Sequence, residues 1–234
     1  LPSPVMSTLT HRVYSLPLSL SALRSPCVRA APSTRLKAPD SGVRPSASGP
    51  SWMPLIPSKT AIVKLDHFAD VGDVEPQTQQ AWLGAGGRLH DLSPALADRG
   101  YAFRNLGDID VQTLAGATST GTHGTGQTLP GLAADIQGLR LVTGTGEHIE
   151  ISADDNPQWL DGGRVALGAL GILTEIKMQL VERFKLHRQV WPEPHAHPLE
   201  HAERYWRETR HFAFFYIPFS DTAIVLSLIQ LSAP

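Results

Sequence analysis

The sequence lacks several features on which whole classes of protein depend. It contains one cysteine, Cys27, so a disulfide framework and a thiolate metal cluster within the chain are excluded. No run of about 18 apolar residues occurs, so no transmembrane helix is predicted. The 20 basic and 22 acidic residues give a net charge of -2, without the basic excess of nucleic-acid binders. What remains is a 234-residue chain with 41% hydrophobic residues, enough to bury a core.

Acidic residues are almost missing from the first 60 positions, where Asp40 is the only one. The same stretch is rich in proline, serine and arginine and has no sustained period of 2 or 3.6, so residues 1–42 are predicted to be irregular or disordered. Such a composition is also typical of an organellar transit peptide, or of a damaged or incomplete N-terminus. We expect a cytoplasmic protein, with organellar targeting and peripheral membrane association left open.

Regular patterns begin at residue 61. The pattern predicts strands at 61–65, 80–84, 136–143, 147–151 and 172–181, and helices at 88–99 and from 156. Gly100 is expected to end the first helix, and the Thr145-Gly146 pair suits a tight hairpin turn. Strands and helices that alternate at this short spacing favour an α+β or α/β domain.

Residues 114–126 read Leu-Ala-Gly-Ala-Thr-Ser-Thr-Gly-Thr-His-Gly-Thr-Gly. Their propensities predict a loop rather than a helix or strand. Glycines let a backbone approach a ligand closely and successive N–H groups bind anions, so we predict a pyrophosphate site. The segment has no lysine, which a Walker loop requires. Pro130 prevents the long helix that follows a Gly-x-Gly-x-x-Gly fingerprint.

The stretch from Asn105 to Gly126 resembles the sugar-lactone and alditol oxidases of the vanillyl-alcohol-oxidase flavoprotein superfamily, which include D-arabinono-1,4-lactone oxidase and L-gulonolactone oxidase. Further matching segments follow in the family's order at 84–92, 138–142, 166–175 and 214–221. The resemblance implies an α+β fold: a PCMH-type FAD-binding domain of two α+β lobes over residues 43–183. Residues 184–234 would then begin a truncated α+β substrate (cap) domain.

The resemblance implies FAD as the cofactor and places it along the glycine-rich segment. The residues expected at the cofactor there are Gly116, Ala117, Thr118, Ser119, Gly121, Thr122, His123 and Gly124. Ser119 and Thr122 would donate hydroxyl hydrogen bonds, whereas His123 would either brace the loop or contact FAD. Ile172 would lend backbone contacts to the cofactor or simply pack in the core.

A first cofactor loop is expected at Ser48, Gly49, Pro50, Ser51 and Trp52. In many family members this loop carries a histidine that bonds covalently to the flavin ring, but here Pro50 stands at that position. Proline has neither a nucleophilic nitrogen nor a backbone donor, so a histidyl-flavin bond at this site is excluded. We therefore predict noncovalent FAD. The alternative is that residues 1–52 are damaged or miscalled sequence.

Two residues before the glycine-rich segment carry weaker indications. The resemblance places Gly107 near the flavin C4a, where a small residue favours an oxidase over a dehydrogenase. It places Asp108 near the isoalloxazine ring, although an aspartate here is equally typical of a turn or helix cap.

Three histidines, His195, His197 and His201, raise the question of a metal site. No carboxylate lies at a convincing ligand spacing, and Pro194 and Pro198 are expected to prevent a regular helix. We therefore predict no metal and a solvated linker in this segment.

The resemblance implies FAD-dependent oxidation of a sugar lactone or polyol, by hydride transfer to flavin N5 with O2 as the acceptor and hydrogen peroxide as a product. The family's substrate-polarising residues lie on the later cap domain, so no catalytic acid or base is assigned. Two alternatives stay open: a dehydrogenase that uses a cytochrome or quinone, and a noncatalytic FAD-binding fragment. No nucleic-acid partner is expected.

Overall fold

The computed structural model describes residues 44–46 and 62–231. A four-stranded antiparallel sheet, in the order β3-β7-β5-β6, forms the centre of the first part. Its strands are β3 (Gln80–Gly84), β5 (Ile136–Val142), β6 (His148–Ser152) and β7 (Ile172–Gln179). The hairpin predicted between β5 and β6 is confirmed, and Gly146 takes the positive φ of 87° that its turn requires.

Two short ladders lie beside this sheet. Strand β1 (Arg44–Ser46) pairs in parallel with β2 (Ile62–Lys64), and β4 (Tyr101–Ala102) pairs antiparallel with β8 (Val181–Glu182). The strand predicted at 172–181 is confirmed over Ile172–Gln179, but it ends there, and Val181 belongs to β8. The chain leaves the central sheet after Gln179, where the Leu180 N–H donates to Gln79 O, and then pairs with β4.

Helix α1 (Leu89–Ala97) matches the helix predicted from the apolar spacing. Leu89, Leu92 and Leu96 are its buried residues, and they lie three and four positions apart on one face. Gly100 follows at a φ of 88°, the left-handed conformation that ends many helices. The helix predicted from residue 156 is a 3₁₀ turn at Pro157–Trp159 that continues as α3 (Leu160–Arg164).

The core lies where the central sheet meets α1 and a short helix, α2 (Leu114–Ser119). Its fully buried side chains come from all three: Leu83, Leu89, Leu92, Leu96, Leu114, Leu139, Leu141 and Ile176. Each side chain of this size contributes about 1.5–3 kcal/mol when it is fully buried. This core fixes the position of α2 and of the segment that follows it.

The second part is a three-stranded antiparallel sheet in the order β10-β11-β9. Its elements are β9 (Lys185–Pro194), α4 (Ala196–Glu200), α5 (Ala202–Glu208), β10 (His211–Tyr216) and β11 (Thr222–Leu231). Tyr205 of α5 stacks on Phe212 with ring centroids 4.7 Å apart. The domain boundary between residues 183 and 184 stays a prediction.

The linker predicted around His195 is wrong, because the chain forms α4 there. Pro198 is the third residue of this helix. The first four N–H groups of a helix have no partner within it, so proline costs no hydrogen bond at this position. His197 stacks on His201 at 4.3 Å and lies 2.9 Å from the Glu193 carboxylate.

The described residues contain no helix with the length and apolar character needed to cross a membrane. They also contain no group of three or more histidine, cysteine or acidic side chains arranged to hold a metal ion.

Candidate functional site

The first half of the glycine-rich segment is helical, so the prediction of a loop from residue 114 was wrong for Leu114–Ser119. Thr113 caps this helix, because its hydroxyl oxygen accepts from the Gly116 N–H at 3.2 Å. The Thr118 hydroxyl donates to the Leu114 carbonyl at 2.9 Å. Burial of Leu114 and Thr118, 0% and 1% exposed, stabilises the helix despite the poor propensity of its residues.

The loop between β3 and α1 holds the N-terminus of α2. The Leu114 N–H donates to Gly87 O at 2.8 Å, and the Ala115 N–H donates to Ala85 O at 2.9 Å. A Cβ at Gly86 would collide with the Leu65 carbonyl, so this loop packs tightly on the segment before it. Because its N–H groups are already bonded, the N-terminus of α2 is not an anion site.

Residues 120–126, which we call the 120–126 loop, follow the helix. Gly121 has a φ of 69° and its N–H donates to Thr118 O, while the Thr122 N–H donates to Ala117 O. Beyond this turn the N–H groups of His123–Gly126 have no acceptor among residues 44–46 and 62–231. Four successive unpaired N–H groups are the arrangement that binds an anion.

Several large apolar side chains that precede or follow the 120–126 loop in the chain are exposed. Ile109 is 60% exposed and Val111 is 42% exposed. Val165 and Leu167 are 49% and 69% exposed, and Val165 Cγ1 lies 3.9 Å from the Cβ position of Gly121. Val165 therefore offers an exposed apolar surface next to the loop.

Two glycines are required by packing within the protein. A Cβ on Gly107 would lie 2.9 Å from Thr122 Cγ2 and 3.3 Å from His123 O. A Cβ on Gly124 would collide with Leu106 O and lie 2.6 Å from Asn105 Oδ1. The 120–126 loop is therefore packed directly on residues 105–107, and its glycines need no ligand to explain them.

The hydroxyl and imidazole groups predicted at the cofactor differ in their partners. Within the described part of the chain, the Ser119 hydroxyl has no hydrogen-bond partner. The Thr122 hydroxyl is paired with the Gln112 side chain at 3.3 Å. His123 Nδ1 lies 3.0 Å from Gly124 O on an exposed ring, so this histidine braces its own loop.

The side chains of Ala117 and Thr118 lie in the core. These residues can therefore meet a cofactor through their backbones alone. Ile172 begins β7 opposite Val142, and its side chain packs against the core. Its backbone contact to the cofactor stays a prediction. Asp108 is exposed at the edge of a groove. Residues 48–52, the predicted first cofactor loop with Pro50, lie outside the described residues.

A polar network that the sequence did not reveal surrounds the end of the 120–126 loop. Asn105, 5% exposed, donates from Nδ2 to Thr125 O and Pro130 O, each at 3.3 Å. His211 Nδ1 of β10 lies 2.9 Å from the same Thr125 carbonyl oxygen. Thr125 and His211 are 86 positions apart in the chain, so no local pattern could have linked them.

Three charged residues, Arg104, Asp135 and Arg210, lie next to this network. Arg104 lies 3.3 Å from the buried Asp135 carboxylate. Burial raises the pKa of Asp135, and the Arg104 charge partly opposes that shift. Arg210, next to His211, donates from Nη2 to Arg104 O at 2.8 Å.

A groove of about 250 Å³ separates residues 103–108 from the β9–β11 sheet. Aromatic and aliphatic side chains form most of its wall, and its polar lining residues are Arg104, Asn105, Asp108, Thr125 and His211. It meets the 120–126 loop at Thr125.

Residues 27–152 match the model of a family described as a FAD binding domain. The chain belongs to this FAD-binding family. It is 36% identical over 186 residues to L-gulono-1,4-lactone dehydrogenase of Mycobacterium tuberculosis, covering 80% of this chain and 43% of that protein. It is 31% identical over 153 residues to L-gulonolactone oxidase of Bos taurus, covering 65% of this chain and 35% of the oxidase. The chain thus spans less than half the length of these relatives.

Solved structures agree with the family in fold. Cholesterol oxidase from Brevibacterium sterolicum superposes with a TM-score of 0.72 at 18% identity, over 83% of this chain and 41% of the oxidase. The structure of 6-hydroxy-D-nicotine oxidase from Arthrobacter nicotinovorans superposes with a TM-score of 0.66 at 20% identity. The match covers 81% of this chain and 44% of that oxidase. The predicted α+β, PCMH-type fold of this FAD-binding chain is confirmed.

Proposed function

We propose that this chain is the FAD-binding part of an oxidoreductase that oxidises a sugar lactone of the D-arabinono- or L-gulono-1,4-lactone type, or an alditol. The proposal rests chiefly on the unpaired N–H groups of His123–Gly126, which lie within the segment that matches the FAD-binding family. The names of the relatives supply the substrate class.

The residues of the 120–126 loop suit a pyrophosphate. The N–H groups of His123–Gly126, which have no acceptor within the described residues, would donate to phosphate oxygens, with the Ser119 hydroxyl as a further donor. Val165, which is 49% exposed beside Gly121, would offer apolar surface to the bound cofactor. Bound FAD would accept a hydride from the carbinol carbon of the substrate. The protein would bind the cofactor and orient it.

We propose that FAD is held without a covalent bond, because Pro50 stands where many family members carry the histidine that bonds to the flavin. Acid precipitation of the FAD-loaded protein tests this point. Yellow colour in the supernatant is expected, whereas a yellow pellet would contradict noncovalent binding.

We further propose O2 as the electron acceptor, with hydrogen peroxide as the product. The family resemblance supports this choice, because it places Gly107 near the flavin C4a, where a small residue favours an oxidase. The relatives include proteins named dehydrogenase as well as oxidase. An enzyme that passes electrons to a cytochrome or quinone is therefore the second candidate.

One experiment addresses both proposals. The FAD-loaded chain is mixed without oxygen with L-gulono-, L-galactono- or D-arabinono-1,4-lactone or an alditol, and flavin absorbance is followed. Bleaching by at least one compound is expected, followed by rapid recovery and peroxide formation in air. Bleaching that persists in air would favour the dehydrogenase. A FAD-loaded chain bleached by none of them would contradict the enzymatic proposal and identify a noncatalytic flavin-binding fragment.

A further inference from the structure

We infer that His211 is a positioning residue through which docking of the β9–β11 sheet sets the shape of the 120–126 loop, so that the sheet and FAD bind the loop cooperatively. The inference rests on the proposed FAD site. It assigns a role to a residue that lies outside the glycine-rich segment and in a different sheet.

The Thr125 carbonyl is the point where the two parts of the molecule meet. It accepts from Asn105 Nδ2 at 3.3 Å, on the side of the central core, and from His211 Nδ1 at 2.9 Å, on the side of the second sheet. A carbonyl oxygen has two lone pairs, so both acceptor positions are used. The end of the loop is therefore fixed from both sides.

His211 is buried at the start of β10, where it is 7% exposed, so water competes little for its hydrogen bond to the Thr125 carbonyl. A carbonyl oxygen only accepts, so Nδ1 must carry a hydrogen. Burial lowers the pKa of His211 against the raising effect of the Thr125 bond, and Arg210 lowers it further. The neutral Nδ1–H form therefore dominates near neutral pH and donates one directed hydrogen bond to the loop.

A second set of contacts joins the 120–126 loop to the start of β10. Gly126 has a φ of 116°, and its Cβ position lies 3.0 Å from Arg210 O. Arg210 in turn donates to Arg104 O at 2.8 Å and lies over the Phe184 ring at 4.6 Å. The His211 side chain and the backbone of Arg210, the residue before β10, thus both contact the loop.

These contacts make the sheet and the FAD site thermodynamically linked. FAD binding that stabilises the ordered 120–126 loop also favours docking of the β9–β11 sheet. Docking of this sheet in turn favours FAD binding, because FAD needs the ordered loop. His211 carries the one side-chain hydrogen bond from the second sheet to this carbonyl. Its removal should weaken FAD binding through the change in the loop.

The test compares three variants of the full chain. His211→Ala removes the bond, whereas His211→Asn keeps an N–H donor at the δ position. His187→Ala removes an exposed histidine of β9 in the same sheet and serves as the matched control. We expect His211→Ala to weaken FAD binding about tenfold in a fluorescence titration at low temperature. His211→Asn should recover most of the affinity, and His187→Ala should leave it unchanged.

Hydrogen exchange supplies a readout that a merely structural role would not change. FAD should slow exchange across β10 in the wild type and in His211→Asn, but much less in His211→Ala. In the absence of FAD, His211→Ala should speed exchange at the Leu129 and Leu132 amides, which donate to Gly126 and Thr122.

Two results would overturn the inference: wild-type FAD affinity with unchanged β10 protection in His211→Ala, or unchanged exchange at Leu129 and Leu132. If His211→Ala does not fold, His211→Gln takes its place in the test. The glutamine amide lies one bond further from the backbone than the histidine Nδ1, so it should not make the hydrogen bond to the Thr125 carbonyl. A wild type that binds no FAD would defeat the proposed function instead. The FAD-free exchange measurement would still decide whether His211 holds the loop.

Discussion

At the scale of single residues, glycine and hydroxyl residues marked the right segment but did not reveal what each one does. Gly107 and Gly124 are required because side chains there would collide with neighbouring backbone and side-chain atoms. The Thr122 hydroxyl is already paired with Gln112, whereas Ser119 has no partner within the described residues. Such differences depend on contacts across the fold, so the sequence could indicate the segment but not the individual roles.

Ser119 gives the most direct prediction at this scale. Ser119→Ala should weaken FAD binding about tenfold, because a hydrogen bond to a charged group contributes about 1.5–3 kcal/mol. The binding constant is measured by flavin fluorescence. Thr128→Ala, an exposed hydroxyl beyond the loop, should bind FAD like the wild type, and equal affinities for all three proteins would contradict a hydroxyl donor at 119.

The buried imidazole of His211 predicts a pH dependence of stability. Burial lowers the pKa of His211 in the folded state below the ordinary value of 6.5, and the nearby Arg210 adds to the shift. Near and below about pH 6.5 the unfolded chain therefore binds more protons than the folded protein does. The protein's free energy of unfolding should fall as the pH drops through that value. Urea unfolding between about pH 5 and 8 measures this loss.

His211→Asn, which has no titrating ring at this position, is the comparison for that pH series. It should lose less stability than the wild type over the same acid range. If the free energies of unfolding of the two proteins fall in parallel with pH, a group other than His211 causes the acid sensitivity.

At the scale of elements, the sequence predicted those whose stability comes from a regular apolar period. Helix α1 follows from leucines three and four apart, and β3 from a short apolar run ended by glycine. Helix α2 was missed because its residues are poor helix formers, and burial of Leu114 against the core outweighs their propensities. Tertiary packing of this kind is not visible in a local window.

The cap of α2 is testable. Thr113→Ala should lower the free energy of unfolding by about 1 kcal/mol, because it removes the acceptor for the Gly116 N–H. Thr113→Ser retains that hydroxyl and should lose clearly less in the same urea titration. Equal losses in the two variants would show that the threonine methyl group, and not the cap, stabilises the helix.

At the scale of the whole molecule, the resemblance predicted the fold class and the family, and both are confirmed. The contact between Thr125 and His211 could not be predicted, because it joins two sheets through residues 86 positions apart. The chain covers 43% of its relative from M. tuberculosis. The substrate pocket and the acceptor therefore stay proposals, whereas the 120–126 loop, which would hold the pyrophosphate, lies within the described residues.

Ligand binding should stabilise the whole molecule. A ligand that binds only the folded state adds about 2.7 kcal/mol at a concentration 100 times its dissociation constant. FAD should therefore raise the thermal midpoint, and riboflavin, which lacks the pyrophosphate, should raise it far less at equal concentration. A similar shift with riboflavin would argue against the pyrophosphate as the main anchor.

Hydrogen exchange with and without FAD tests the central claim most directly, because it reports on the N–H groups to which we assign the pyrophosphate. The amides of His123–Gly126 have no acceptor within the described part of the chain, so they should exchange rapidly in the free protein. On saturation with FAD they should become strongly protected. Protein that binds FAD while these four amides continue to exchange rapidly would contradict the account.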